Sequence, residues 1–342
     1  MKADALSLRQ ITVLTVAGLL APGADILPKL LAETSGRAGW IAPLLCLPVL
    51  LIWTALLRSL LKGEGQDLTG ALRAGFGPFL GGVFRIIYIM WGILLLTDQT
   101  YRSASRLGAV YGMGVGRTFS ALMLVLVLWM TWGKLGAVCR AAELFWLALA
   151  AAVAGILLLS VPQVELKRLA PSWRELGGLS KAWRDCLGLL GTGIFAAVLT
   201  GKAPRTKKGG RLLAWAAGIC LLLAALTAAV LGQVGAELTA KLPHPFSIMV
   251  QGLSLGGGFA RLEAPMAALW LMADFARAAL LLSAIRTLTG EKAGRWVSLL
   301  SAVAAAVGQI FFSGTGALVF GGLFLGIGVP AALFLLCRAR KQ

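Results

Sequence analysis

Three aspartates and one arginine, Asp25, Asp98, Asp274 and Arg277, stand within long apolar stretches of the 342-residue chain. A charge there is costly unless it pairs, binds something or carries a proton, so each is a candidate for ligand chemistry. Asp25 closes the run Ala21, Pro22, Gly23, Ala24, Asp25, and Pro28 follows. The prolines remove backbone donors, and irregular backbone at membrane depth is tolerated only where it is buried in protein or lines a cavity. An interrupted helix of this kind is a candidate binding site, with Ala21 to Asp25 as the opened segment and Leu27-Pro28 restarting the outer half. Thr97 and Asp98 are further candidates, next to Gln99, Tyr101 and Arg102; Asp98 either meets a ligand or pairs with Arg102 one turn on. Asp274 and Arg277 share a helix face at i, i+3, where a structural salt bridge and ligand contact fit equally well. Gly191, Thr192 and Gly193 form the candidate second interruption, because glycine has low helix propensity and permits unusual backbone angles. The competing reading is close helix packing through small residues, which is also the reading for Gly77 and Gly81 and for Gly322 and Gly326.

Opened half-helices expose N–H groups that favour an anion, while carbonyl ends or a carboxylate favour an ammonium or a cation. A zwitterionic amino acid satisfies both, and Asp25 could instead hold an ion or a proton. Catalysis has no comparable support. His244, the single histidine, lies between Pro243 and Pro245 and reads as a solvated loop residue. The five cysteines, Cys46, Cys139, Cys186, Cys220 and Cys337, are scattered without CxxC spacing and read as small hydrophobes. No Ser/His/Asp or metal-ligand constellation stands out, so the chain is not expected to be an enzyme or to carry a metal or cofactor.

The elements that must position these residues are membrane spans. Hydrophobic residues make up 58% of the chain and charged residues 13%, and the mean hydropathy is +0.85, far outside soluble composition. The expected fold class is an all-α polytopic membrane protein with about ten spans, near 8–32, 38–61, 78–107, 117–133, 136–161, 180–203, 210–234, 258–287, 294–312 and 315–337. A net charge of +18 would suggest nucleic acid in a soluble protein. Here Lys and Arg cluster in short loops, as topology signals do, and no nucleic-acid partner is expected beside membrane lipid. With the N-terminus cytoplasmic, 18 of the 32 Lys and Arg fall inside and 12 outside, chiefly through the run Lys202 to Arg211 and the basic tail. Both termini are therefore expected in the cytoplasm. The stretch from Ile11 through Ala21-Pro22-Gly23 loosely mimics a signal peptide, but proline fits the cleavage triplet poorly and the apolar pattern resumes beyond it.

Two longer connections fall outside in this topology and could cover the mouth of a cavity. One, 162–179, holds Pro162, Pro171 and Gly177-Gly178; the other, 235–257, holds Pro243, His244, Pro245 and Gly256-Gly257, with Gly258 next. Cut between the fifth and sixth spans, the single membrane domain 1–342 divides into two five-helix repeats of opposite orientation, 8–161 and 180–337. The first, third, sixth and eighth spans, which carry the candidate residues, would then converge at the midplane.

Several motifs resemble one family. Leu27-Pro28, Ala32 and Gly36-Arg37-Ala38-Gly39-Trp40 resemble the end of the first span and the following turn in the B-subunits of spore germination receptors, the endospore germination permeases. Gly136 with Arg140-Ala141-Ala142-Glu143 is similar to the start of that family's fifth span, and Arg261-Leu262-Glu263 with Trp270 and Arg277 to its eighth. The order and spacing hold over nearly the whole chain. The resemblance implies the amino acid/polyamine/organocation transporter superfamily and a LeuT-like five-plus-five inverted repeat with broken first and sixth helices. It further implies a germinant-sensing subunit in the inner membrane of the spore, with a small amino acid or similar nutrient as ligand. Its partners would be two other receptor subunits, an integral membrane A-type subunit and a C-type lipoprotein. An amino acid permease and an ion or water pathway are the alternatives of the same fold. The chain departs from the pattern in two places. Gly193 to Leu199 lacks the glutamate and proline that many relatives have after the sixth-span break, and Arg277 stands where relatives often have lysine.

Overall fold

The computed structural model describes residues 7–61, 67–133, 135–202, 210–253, 263–311 and 316–339, and every regular element among them is helical. The first half contains α1 (Leu8–Asp25), α2 (Leu27–Ser35), α3 (Ile41–Leu60), α4 (Leu68–Tyr111), α5 (Met113–Trp132) and α6 (Leu135–Ser160). A short α7 (Trp173–Gly177) lies in the connection that follows. The second half contains α8 (Leu179–Gly191), α9 (Phe195–Leu199), α10 (Gly210–Val234), α11 (Ala236–Lys241), α12 (Pro245–Gly252), α13 (Glu263–Thr289), α14 (Glu291–Gly308), α15 (Gly316–Gly321) and α16 (Val329–Ala339). Among the described residues, seven stretches are long and apolar enough to cross a membrane: Leu27–Leu60, Leu68–Tyr111, Met113–Trp132, Gly136–Gln163, Leu179–Leu199, Leu212–Val234 and Leu318–Arg338. Length and apolarity thus license seven of the ten expected spans. α1 is not among the seven, because Arg9, Gln10 and Asp25 fall within its 18 residues. Lys2, Lys62, Lys134, Arg205, Lys207, Lys208, Arg340 and Lys341, which entered the charge count, and Pro204, Gly256 to Gly258, Arg261 and Leu262 lie outside the described residues.

Local chemistry sets the helix ends. Ser7 and Gln10 exchange side-chain-to-backbone hydrogen bonds of 3.1 Å and start α1 with a capping box. Asp67 accepts from the Gly70 N–H at 2.8 Å and caps α4. Within α4 the chain kinks at Gly77, whose φ of 85° only glycine adopts readily, just before Pro78. Gly77 is therefore a hinge of the backbone and not the close-packing glycine that its spacing from Gly81 suggests; no atom lies within 4 Å of where its Cβ would be.

α13 is the hub. It packs against α1, α4, α5, α6 and α14, with Ala273, Ala276, Ala278, Ala279 and Ala284 buried around its whole circumference. α1 is almost as enclosed, buried at every position from Val16 to Asp25. By contrast α5 and α6 turn Leu122, Val125, Trp129, Leu144 and Leu147 outward, the apolar surface that lipid covers. The glycine pair Gly322 and Gly326 packs as expected, and its partners are Gly188 and Gly191: a Cβ on any of these four would run into backbone of the crossing segment. Gly322–Gly328 forms a π-helical turn there, whose Leu325 and Gly326 carbonyls accept from Tyr88 Oη at 2.5 Å and Trp53 Nε1 at 2.9 Å.

The connection 161–178 is pinned at both ends. Trp40 Nε1 donates to the Leu169 carbonyl at 3.1 Å, and Arg168 Nη1 donates to the Gln233 carbonyl at the end of α10. Glu175 accepts from the Arg37 N–H at 3.0 Å and the Ser172 N–H at 2.6 Å, fixing α7 to the corner between α2 and α3.

Candidate functional site

Pro22 has no N–H, so the Gly18 carbonyl, four residues earlier, has no donor within its own helix. The helix nevertheless runs on to Asp25, with the Ile26 N–H donating to the Pro22 carbonyl at 2.9 Å. Ala21, Pro22, Gly23, Ala24 and Asp25 are all buried and helical, which corrects the expectation of an opened segment. The interruption is the single residue Ile26, after which α2 restarts at Leu27-Pro28. Burial on every side explains the difference: with few free partners for unpaired backbone, the chain keeps its remaining helical bonds.

The donor missing at Gly18 comes from α13. Arg277 Nη1 donates to the Gly18 carbonyl at 3.3 Å and to Thr192 Oγ1 at 3.4 Å. A Cβ on Gly18 would stand 3.1 Å from the Arg277 Cα, so the glycine admits α13 at this level. Thr192 opens the 3-10 turn Thr192–Ile194 between α8 and α9, where the second interruption was expected, and its hydroxyl donates to Leu189 O at 2.7 Å. One guanidinium thus touches the α1 carbonyl that Pro22 leaves without its helical donor and the 3-10 turn after α8. Arg277 is 3% exposed, and its Nε and Nη2 are buried with no hydrogen-bond partner among the described residues. No carboxylate lies within ion-pair distance of it among the described residues, so the i, i+3 pairing with Asp274 does not form.

Asp274 is held elsewhere. Arg106 Nη2 and Gln99 Nε2 donate to its two oxygens, and Arg106 Nη1 lies 3.4 Å from Asp25 Oδ2. Asp25 Oδ1 meets His244 Nδ1 at 2.7 Å, and His244 Nε2 meets Ser105 Oγ at 2.9 Å. His244 is 7% exposed, so its reading as a solvated loop residue is overturned: the connection folds inward and delivers the ring to α1 and α4. Asp98 pairs with Arg102 Nε at 2.9 Å, one of the two readings open to it. Three carboxylates and three guanidiniums therefore occupy one buried layer between α1, α4 and α13. Asp25 and Asp274 share Arg106, which leaves acid in excess at that end, and unpaired Arg277 leaves base in excess at the other.

Other candidates face away from this layer. Thr97 donates to Ile93 O at 2.9 Å and turns its methyl toward Gly308 of α14. The Gly23 position faces Leu223 of α10, and Gly191 is spent on packing against Gly322. Gly193 faces Leu19 and Thr15 of α1. Arg106, Gln99, Ser105 and His244 were not singled out from the sequence as part of this layer. Asp98, Arg102 and Arg106 repeat at i, i+4, i+8 and lie on one helix face, which was the available signal for Arg106. A cleft of about 30 Å³, room for roughly one water, is lined by Arg106 together with Phe246, Met266 and Trp270. At the N-terminal end of α1, Arg9 Nε lies 3.2 Å from Glu143, a residue of the α6 motif.

A family described as "Spore germination protein" matches residues 5–292. No individually curated protein matches the chain. Among solved structures, the crystal structure of MhsT in complex with L-phenylalanine is similar over 98% of this chain and 90% of that chain, with a TM-score of 0.68 and 14% sequence identity. At that identity the likeness bears on fold alone, and the fold is the LeuT-like helical architecture.

Proposed function

The chain belongs to the spore germination protein family, and from that premise we propose that it is the germinant-sensing subunit of a spore germination receptor. At the coarser level it is an integral, permease-like membrane protein, of a family and fold associated with transport and reception rather than catalysis. The finer reading is carried by one observation, the two guanidinium nitrogens of Arg277 that have no partner among the described residues, beside the Gly18 carbonyl of α1 and the Thr192 turn after α8. A buried donor without an acceptor costs about 1–3 kcal/mol, and a ligand carboxylate removes that cost with charge-assisted bonds. The ligand's ammonium then points to the acidic end of the layer, where Asp25 and Asp274 share one arginine. A small amino acid, or a nutrient of the same zwitterionic kind, supplies both charges on one molecule. That the related fold of MhsT is seen with L-phenylalanine supports the ligand class.

Binding acts on partners only if the ligand prefers one of two conformations, and repeats 8–161 and 180–337, meeting at Arg277, are the bodies whose relative tilt would change. The partners are an integral membrane A-type subunit and a C-type lipoprotein, in the inner membrane of the spore, with both termini of this chain cytoplasmic. A working permease is the second reading, favoured by the transporter-like fold. Titration of the purified chain in lipid nanodiscs with each of the 20 proteinogenic amino acids, followed by uptake into proteoliposomes without partner subunits, separates the readings. Binding without uptake is expected; uptake down a gradient makes the chain a permease, and no binding by any of them overturns the site.

A further inference from the structure

The outer connection between α10 and α13 sends a titratable ring into the buried layer. His244, the residue before α12, uses both ring nitrogens, Nδ1 on Asp25 of α1 and Nε2 on Ser105 of α4. It thereby ties α12, which also packs on α1, α10 and α13, across the outer end of the layer. The charged groups around the ring are Asp25 on α1, Asp98, Arg102 and Arg106 on α4, and Asp274 on α13. α10 brings no charged residue to this end. Lys29 and Glu33 of α2 face one another at 4.0 Å on the surface, and Glu237 and Lys241 of α11 are exposed. Asp98 and Arg102 close a pair of their own, so Asp25, Asp274 and Arg106 leave one surplus negative charge beside the imidazole.

We propose that His244 is a proton-operated latch, in which a proton on the imidazole neutralises the surplus charge and holds α12 down over the outer cleft. Neutral, the ring donates from Nδ1 to Asp25 and accepts at Nε2 from the Ser105 hydroxyl. Protonated, it donates from both nitrogens, and the bond to Asp25 becomes one between two charges. Histidine as a residue type changes charge between about pH 5 and 8, and the cleft lined by Arg106 and by Phe246, Ser247 and Val250 of α12 lies next to this end. The latch also bears on the amino acid site, and this part rests on the reading above. A ligand ammonium and the proton on His244 neutralise the same surplus charge, so they compete, and ligand binding expels the proton.

Two measurements on the full chain in nanodiscs test this. Ser247→Cys places a thiol in the outer cleft, and its maleimide labelling rate is followed from pH 5.5 to pH 8 with His244 intact and with His244→Gln, which keeps a hydrogen-bonding side chain without the proton. The ratio of the two rates cancels the thiol's own pH dependence. It is expected to fall about fivefold toward acid, the difference between a neutral and a charged hydrogen bond. A ratio that stays flat overturns the latch. In parallel, amino acid affinity is measured at both pH values. A loss of about fivefold at the acid end in the native chain, absent in His244→Gln, supports the competition. If an amino acid binds with the same pH profile in both proteins, the latch falls and the amino acid site stands. If none binds while the labelling ratio falls, the amino acid site falls and the latch stands.

Discussion

α1 carries a proline one turn before it breaks at Ile26, α8 ends on close-packed glycines, and the two segments leave different groups free. In α1, Pro22 withholds the donor that the Gly18 carbonyl needs, and Arg277 supplies one from another helix at 3.3 Å. That repair buries a guanidinium with two of its nitrogens unused. In α8 the Gly188 and Gly191 backbone is pressed against Gly322 and Gly326, and the 3-10 turn that follows satisfies itself. The Thr192 N–H bonds back to Leu189 and Leu190, and the Phe195 N–H to Gly193. The α8 side is thus spent on packing and the α1 side keeps unspent polar capacity. The two segments thus differ in kind, one closed by backbone packing and the other holding free donors against a helix carbonyl.

Overfilling the α8 side is expected to have the largest effect. A side chain at Gly191 meets the Gly322 carbonyl, backbone that cannot rotate away, so Gly191→Leu should cost about 3 kcal/mol. The readout is loss of monodisperse protein and a lowered melting temperature in detergent, and a native melting curve would show that the crossing is slack. Next comes Arg277→Gln, which removes a buried, half-satisfied cation. Losing the charge partner of a ligand carboxylate costs about 2 kcal/mol or more, roughly a 30-fold loss of amino acid affinity. Stability should hold or rise, because an uncompensated buried charge is also gone. Lower stability together with unchanged affinity would make Arg277 a structural brace instead.

Pro22→Ala separates the two tasks of Arg277. The alanine N–H can serve the Gly18 carbonyl, so α1 should become more stable, by up to about 3 kcal/mol for an interior proline. The Arg277 bond to Gly18 is then redundant. A double-mutant cycle of Pro22→Ala with Arg277→Gln should give a coupling of about 1 kcal/mol in thermal stability. Strict additivity would mean that Arg277 does not repair the proline.

What the sequence could reveal follows from the range of each interaction. Pro22, Asp25, Gly191 to Gly193, and the spacing of Asp98 and Arg102 are local signals, and each falls at or beside an interruption or a pair in the structure. The contact between His244 and Asp25 spans 219 residues, and nothing in Pro243-His244-Pro245 announces that the connection turns inward. Arg106 stands at the very end of the expected span 78–107, where a charge is unremarkable, whereas α4 runs on to Tyr111 and holds it inside the layer. Of the two readings open to Asp274 and Arg277, the salt bridge between them does not form, for a related reason. On one helix Arg277 is its nearest base, but α4 brings Arg106 and Gln99 against it from outside, and Arg277 is drawn to Gly18. Periodicity cannot choose between a neighbour on the same helix and one delivered by packing.

The smallest expected effect comes from the clasp that joins the two sides from outside. Glu175 ties the corner after the α1 interruption to the chain that leads into α8. Partial burial pushes its carboxyl up, but the backbone N–H groups of Arg37 and Ser172 and the Arg37 guanidinium outweigh this and hold it below the ordinary glutamate range. A carboxyl lowered on folding stabilises the fold above its unfolded pKa, and that contribution is lost as the pH falls through the lower, folded value. The native chain should therefore lose stability on acidification below about pH 4. Glu175→Gln should start slightly lower, by less than about 1 kcal/mol because solvent screens the group, and converge with the native chain in acid. Parallel melting temperatures across that range would remove Glu175 from the clasp. If Glu175→Gln lowers stability but leaves amino acid affinity untouched, the two interruptions communicate through Arg277 and not through the outer connection. If affinity falls with it, the packed side and the Arg277 side are not separable, and the contrast between them fails at this surface contact.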